Sequence, residues 1–427
     1  MAKKNFFIVL CFVFCAGLFV SCGNPASSNG GTTVISVPSL PEGQTINLAD
    51  SSITAANIVT SMKFGWNLGN TLDANYKGDN WNIQAGSAEI DWGHVNTASV
   101  ALFQKLYDDG IRSVRIPISW HNHVTKVNGN WIINAGWLDH VQNVVNMAYE
   151  RGLYVIINIH HDNFAGSSLG NNPGFTLNNS DLENSRKYVK EIWEQVANRF
   201  KNYDGHLVFE TLNEPRVIGG EHEWNCSNNW TCSDCQNYFN IINTLNQDAV
   251  NTIRASGSNN ASRVIMFPAY VAAPYAAING KNANLFRIPT DSATNKLALS
   301  VHMYTPYNFA MEDPGSSTLT QSHKNDLSSH FTALNTTFIS QGIPVVIGEM
   351  GATNKNNDSA RTEWFTYYLG LCKQYGVAAI LWDNGNWQVP TTGANAGSYN
   401  ELFGFYDRTA QTWYFPDMIT AAINERN

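Results

Sequence analysis

The run LVFETLNEPR, residues 207–216, starts as a buried strand and ends in chemistry: an apolar stretch delivers Asn213, Glu214 and Pro215 at its tip. One glutamate at a strand end can be half of a surface ion pair. The reading sharpens because the chain repeats the arrangement. Short β-rich runs recur as KFGWNLG from Lys63, SVRIPIS from Ser113, YVIINIHH from Tyr154 and LVFETLNE from Leu207. They continue as RVIMFPAY from Arg263, LALSVHMY from Leu297, PVVIGEMG from Pro344 and AAILWDNG from Ala378. Several are almost continuously apolar, as parallel strands buried on both faces are.

Helical patterns separate these runs. Thr97 to Asp109 aligns Val100, Phe103, Leu106 and Tyr107 on one face, and Trp137 to Arg151 repeats Leu138, Val141 and Ala148. Val189, Ile192, Trp193, Val196 and Phe200 follow helical spacing, as do Tyr238, Ile242, Leu245, Ala249 and Ile253. Amphipathic helices of this kind cover a sheet. Gly110, Gly152 and Gly376 stand where three helices should stop. The alternation predicts an α/β fold with a single (β/α)8 barrel over residues 51–427. An open doubly wound sheet is the other arrangement considered. It would carry G-x-G-x-x-G after an early strand, and none occurs there.

A barrel places its active site at the C-terminal ends of the strands. Those ends read Asn67 and Asn70, Arg115, His160 and His161, Asn213 and Glu214, His302 and Tyr304, Glu349, then Trp382 and Asp383. A barrel built only for stability has no reason to gather such groups on one rim, because buried charge is costly unless paired. Glu349, in VVIGEMG, ends the seventh run as Glu214 ends the fourth. Two carboxylates facing one another across a narrow mouth suit glycoside hydrolysis, where one protonates the leaving oxygen and the other attacks or activates water.

The first fifty residues read differently. Met1 to Lys4 is short and basic, Phe6 to Val20 is apolar, and Ser21-Cys22 follows. This is the anatomy of an export signal over residues 1–22, too short for a spanning helix. Its FVSC ending is similar to a bacterial lipobox, which implies a lipid anchor at Cys22 as the one membrane contact, and a cell-surface or outer-membrane location. An ordinary secreted signal is the alternative. Residues 23–50, rich in Gly, Ser, Thr, Asn and Pro, read as a flexible tether. The net charge of −8 and the lack of a basic stripe argue against a nucleic-acid partner. Among the remaining cysteines, Cys226, Cys232 and Cys235 cluster in NCSNNWTCSDC, where at least one disulfide is expected. A zinc site using His222 is the alternative there; no cofactor or metal is expected, and the protein is expected to be a monomer.

From about Lys63 onward the chain resembles glycoside hydrolase family 5, and within it the bacterial endo-β-1,4-glucanases. The motifs are GWNLGNTLDA, VRIPISW, VIINIHHD, TLNEPR, HMYTPYNFA, GEMGATNKNN and ILWDNG, in the family's order across the whole folded region. The resemblance implies a retaining endo-acting enzyme on cellulose, mixed-linkage β-glucan and xyloglucan. It makes Glu214 the acid/base, Asn213 the ligand of the sugar 2-hydroxyl and Glu349 the nucleophile. Arg115 would hold Glu349 ionised, and Tyr304 would donate to the same carboxylate. His302 and His160 would shape the subsite of the reacting sugar, with His161 beside them and Trp382 as the stacking floor. The cysteine-bearing insertion directly follows Glu214, on the leaving-group side.

Three other readings compete with this one. The HHD triplet of His160, His161 and Asp162 invites a metal, but adjacent strand residues point to opposite faces. A non-catalytic surface glycan-binding lipoprotein would keep the aromatics without needing both glutamates, Arg115 and Tyr304. A β-mannanase on the same barrel is the rival within the enzyme class.

Overall fold

The computed structural model describes residues 36–75, 92, 98–165, 169–226, 230, 232–391 and 396–427. The expected export signal, Cys22 and the first part of the expected tether lie outside the described residues. Eight parallel strands close into a barrel in which each pairs with its sequence neighbour and the last with the first. They are β1 Phe64–Asn67, β2 Ser113–Ile116, β3 Tyr154–Asn158 and β4 Leu207–Glu210. The second half is β5 Ile265–Pro268, β6 Leu297–His302, β7 Val345–Met350 and β8 Ala378–Leu381. Every one of the eight β-rich runs supplies a barrel strand.

The expected helices form an outer layer and carry their own punctuation. Val100–Asp109 is capped by Ser99, whose side chain accepts from Leu102 N–H, and ends at Gly110 with φ 108°. That left-handed geometry suits glycine. Asp358–Tyr375 ends the same way at Gly376, φ 67°. The buried faces of Ala135–Tyr149, Leu182–Phe200 and Ser233–Ala255 pack against the outward residues of the strands in one continuous apolar core.

Inside the barrel the strands divide into a dry floor and a polar roof. Ile156, Val208, Met266, Ala298, Val346, Ala378 and Ile380 point inward and join the short helix Ala55–Met62 below them. That helix starts in a capping box of Thr54 and Asn57 and closes the N-terminal mouth. Leu48 belongs to the same cluster at 2% exposure, and Asp204 Oδ2 accepts the Ile46 N–H at 2.7 Å. Residues 36–50 were expected within the tether; instead at least Ile46 and Leu48 are fixed to the barrel's underside, so the folded unit begins before residue 51. All described residues fall in one compact unit, Ile35–Asn427.

Two irregularities in β7 prepare the site. Val301 pairs with Ile347, but the next residue of β6, His302, pairs with Glu349, so Gly348 is an extra residue; the pairing with β8 shifts at the same place. A bulge of this kind re-aims side chains. Strict alternation from inward Val346 would turn Glu349 outward. With the bulge, both Gly348 and Glu349 face the barrel axis.

Candidate active site

Arg115 on β2 is fully buried at the centre of the polar roof. Its Nε donates to Glu210 Oε2 at 2.8 Å and its Nη1 to Glu349 Oε1 at 2.9 Å. Nη1 also reaches Asn67 Oδ1 at 3.1 Å, and Nη2 reaches Asn213 Oδ1 at 2.7 Å. Burial opposes the guanidinium charge, but Glu210 and Glu349 outweigh it and Arg115 holds its proton more firmly than usual. Strand register makes this possible: Arg115 lies opposite Asn67, and Glu210 opposite Asn158.

Glu349 is gripped on both oxygens, since Tyr304 donates its hydroxyl to Oε2 at 2.9 Å. Burial and the charge of Glu349 push the Tyr304 phenol well above its usual range, so it remains a donor. Glu214 lies four residues past the end of β4 and meets His302 instead: Nδ1 of the imidazole lies 2.7 Å from Glu214 Oε1 and 3.5 Å from Glu349 Oε2. Burial works against charge on both members of this pair. The opposite charges prevail: His302 lowers the Glu214 carboxyl, and Glu349 first, then Glu214, raise the His302 imidazole against its burial. One oxygen of Glu214, one of Glu349 and a His302 nitrogen all lie within 4.8 Å of one another. Nearest oxygens within 4.8 Å of one another are compatible with the spacing of about 5–5.5 Å between the carboxyl groups of double-displacement sites. Arg115 supplies positive charge to this pair, and the raised imidazole of His302 is the second basic group beside it.

A family model for cellulase (glycosyl hydrolase family 5) matches residues 73–388. The chain belongs to glycoside hydrolase family 5. Endoglucanase B of Neocallimastix patriciarum is 35% identical to this chain over 376 residues, which are 88% of this chain and 72% of that one. Endoglucanase A of Ruminococcus albus is 35% identical over 390 residues, 89% and 96% of the two chains. Among solved structures, a family 5 lichenase from Caldicellulosiruptor sp. F32, in complex with cellotetraose, superposes with a TM-score of 0.78 at 37% identity, covering 92% of this chain and 99% of that one. A broad-specificity family 5 endoglucanase from Ruminococcus champanellensis with bound cellotriose gives 0.76 at 35% identity, covering 87% and 98%.

The other rim residues of this family 5 barrel separate into two groups. His160 is buried; burial first, then His161 and Arg115, hold its imidazole well below its ordinary value. It is therefore neutral, and Asn158 Nδ2 at 3.1 Å donates to its Nδ1, leaving the proton on Nε2. Trp382 faces it with the ring planes 4° apart and centroids 6.1 Å apart. His161 keeps to the edge, its ring 4.3 Å from that of His160 and its Nε2 4.0 Å from Asp73 Oδ2. The expectation that adjacent histidines diverge fails here, because β3 ends at Asn158 and both lie beyond it. Asn70 and Asp383 do not reach the carboxylates. Asn70 shapes a turn, its N–H donating to Asp73, while Asp383 clamps Trp66 Nε1 and the Tyr406 N–H at 2.8 and 2.9 Å.

Three residues around the site escaped the sequence reading. Glu210, fully buried, takes Arg115 and Asn158 on one oxygen and Ser300 on the other, so it positions Arg115 and has nothing left for chemistry. Its signal was a charge inside an apolar strand. Gly348 gave no signal without the register. Trp224, 56% exposed on the loop after Glu214 with the Arg216 guanidinium 4.4 Å from its ring, was visible only as one more tryptophan.

Proposed function

We propose that the chain is an exported, retaining endo-β-1,4-glucanase in which Glu349 is the nucleophile and Glu214 the acid/base. The observation that carries this is the convergence of the two carboxylates within 4.8 Å, one held by Arg115 and Tyr304 and the other by His302. Arg115 and Tyr304 fix Glu349 with its charge facing the cleft, ready to bond to the anomeric carbon. Glu214 gives its proton to the departing oxygen; a positioned general acid contributes about 10²- to 10⁴-fold. In the second step the same carboxylate, now ionised, takes a proton from the water that releases the glycosyl group. Asn213 spends its oxygen on Arg115, which leaves its N–H groups to donate to the sugar 2-hydroxyl.

The substrate reading rests on the relatives, whose solved complexes hold cellotriose and cellotetraose. It places β-1,4-linked glucans, bare, branched or mixed-linkage, in the cleft. The export signal and Cys22 support a lipid-anchored enzyme at the cell surface. Release of reducing ends, measured in parallel on carboxymethylcellulose, barley β-glucan, xyloglucan, xylan and mannan, tests the assignment. Turnover of the glucans and its loss by roughly 10⁴-fold or more in Glu349→Ala is expected. Preference for mannan, or activity surviving that change, would overturn it.

A further inference from the structure

The loop after Glu214 holds chemistry that glycoside hydrolysis does not use. Cys226 and Cys235 are joined in a disulfide, and Cys232 is a free thiol. The Cys232 Sγ lies 3.3 Å from the Cys226 Sγ and 3.8 Å from His222 Nε2. All three sulfurs and the His222 nitrogen lie within 4.8 Å of one another. Cys226 and Cys235 are buried, whereas Cys232 is part-exposed.

We propose that His222, Cys232 and the Cys226–Cys235 disulfide form an internal thiol–disulfide exchange site. Cys232 gives its proton to His222 Nε2 and its sulfur attacks Cys226 Sγ. The Cys226–Cys232 bond forms as the Cys226–Cys235 bond breaks, and the electron pair leaves on Cys235, which recovers the proton from His222. One disulfide and one thiol stand on each side, so the step needs no external oxidant or reductant. The reverse step is the same reaction with Cys235 as attacker.

The surroundings bring these groups together, and the Cys232 side chain turns into line with the Cys226–Cys235 bond to attack. Cys232 is the N-cap of the helix Ser233–Ala255, and its Sγ accepts the Cys235 N–H at 3.3 Å, so both sulfurs belong to one helical start. Tyr270 donates its hydroxyl to the His222 carbonyl at 2.7 Å. Trp230, buried against Phe239, Tyr270 and Tyr275, packs between them. Cys226 is 9 residues from Cys235 and 6 from Cys232. Closure entropy changes only with the logarithm of loop length, so the chain favours neither bond strongly. The four groups also have the composition of a Cys3His zinc set, but two of the sulfurs are spent in a bond, and exchange is the chemistry this arrangement supports.

The site is tied to Glu214. Arg216 stands 3.7 Å from Glu214 Oε2, bonds Glu223 Oε1 at 3.2 Å and lies over the Trp224 ring. The two bonded forms thus give the loop beside the acid/base two covalent states.

The test uses the full chain purified without reductant. Native protein held at pH 8 is alkylated with iodoacetamide, quenched in acid and digested with pepsin at low pH, where exchange is frozen. Peptide mapping should recover both the Cys226–Cys235 and the Cys226–Cys232 cross-links, with alkylation at Cys232 in the first and at Cys235 in the second. After a jump from pH 3 to pH 8, His222→Ala should approach the final ratio about tenfold more slowly or worse. A single Cys226–Cys235 cross-link after prolonged incubation at pH 8 would overturn the proposal, and so would an unchanged rate in His222→Ala. Neither result depends on glycosidase activity.

Discussion

At the scale of the residue, the decisive pair is Glu214 and His302. In the free enzyme the carboxyl is lowered by His302, and the imidazole is raised by Glu349 and Glu214, each against its own burial. The pair titrates as a unit and keeps its one proton to a pH above the ordinary 6.5 of histidine. Acid catalysis needs that proton, so the alkaline limb of kcat/KM should lie above 6.5. His302→Asn removes the group that stores it. Glu214 must then hold the proton alone, and the alkaline limb should move to lower pH, with activity lost more severely at pH 8 than at pH 5. A profile of the variant that keeps its alkaline limb would contradict this role. Much of the residue-level site was legible: Arg115, Asn213, Glu214, His302, Tyr304 and Glu349 all converge. Glu210 was hidden by its own strand, because a sequence scanned for strand ends overlooks a charge four residues earlier. Its identity as a ligand of Arg115 becomes visible only when Asn158, Ser300 and Arg115 are brought around it from three other strands.

At the scale of the element, β7 shows what periodicity alone does not disclose. The run VVIGEM reads as an even strand, and even alternation would send Glu349 to the outer face. The extra residue at Gly348 turns it back to the axis. A methyl group added there would meet His302 Nε2 at 3.3 Å and Glu210 Oε1 at 3.4 Å. Gly348→Ala should therefore displace the His302 imidazole by a few tenths of an ångström and lower kcat roughly tenfold. The accompanying overpacking should cost no more than about 1–3 kcal/mol, so the variant stays folded. Thermal unfolding and steady-state kinetics on barley β-glucan separate the two effects. Unchanged kcat would show that the bulge serves folding rather than the site.

At the scale of the whole molecule, the barrel was readable because each of its eight strands is a short, strongly apolar run between helical patterns. The underside was not. Residues 36–50 have the composition of a tether, and Ile46 and Leu48 are too few to show a period, so their anchoring depends on partners such as Asp204 far along the chain. Leu48→Ala should cost about 2–5 kcal/mol, in the range of buried leucine truncations. A chain starting at residue 51 should likewise melt well below one starting at residue 36, whereas equal melting would restore the tether. At the roof, the two carboxylates should act by double displacement. Proton NMR of the first sugars released from a β-1,4-glucan reads it directly. The β-anomer should appear first and the α-anomer only later, by mutarotation. An initial α-anomer would mean inversion, and would return Glu349 to the role of a base acting on water.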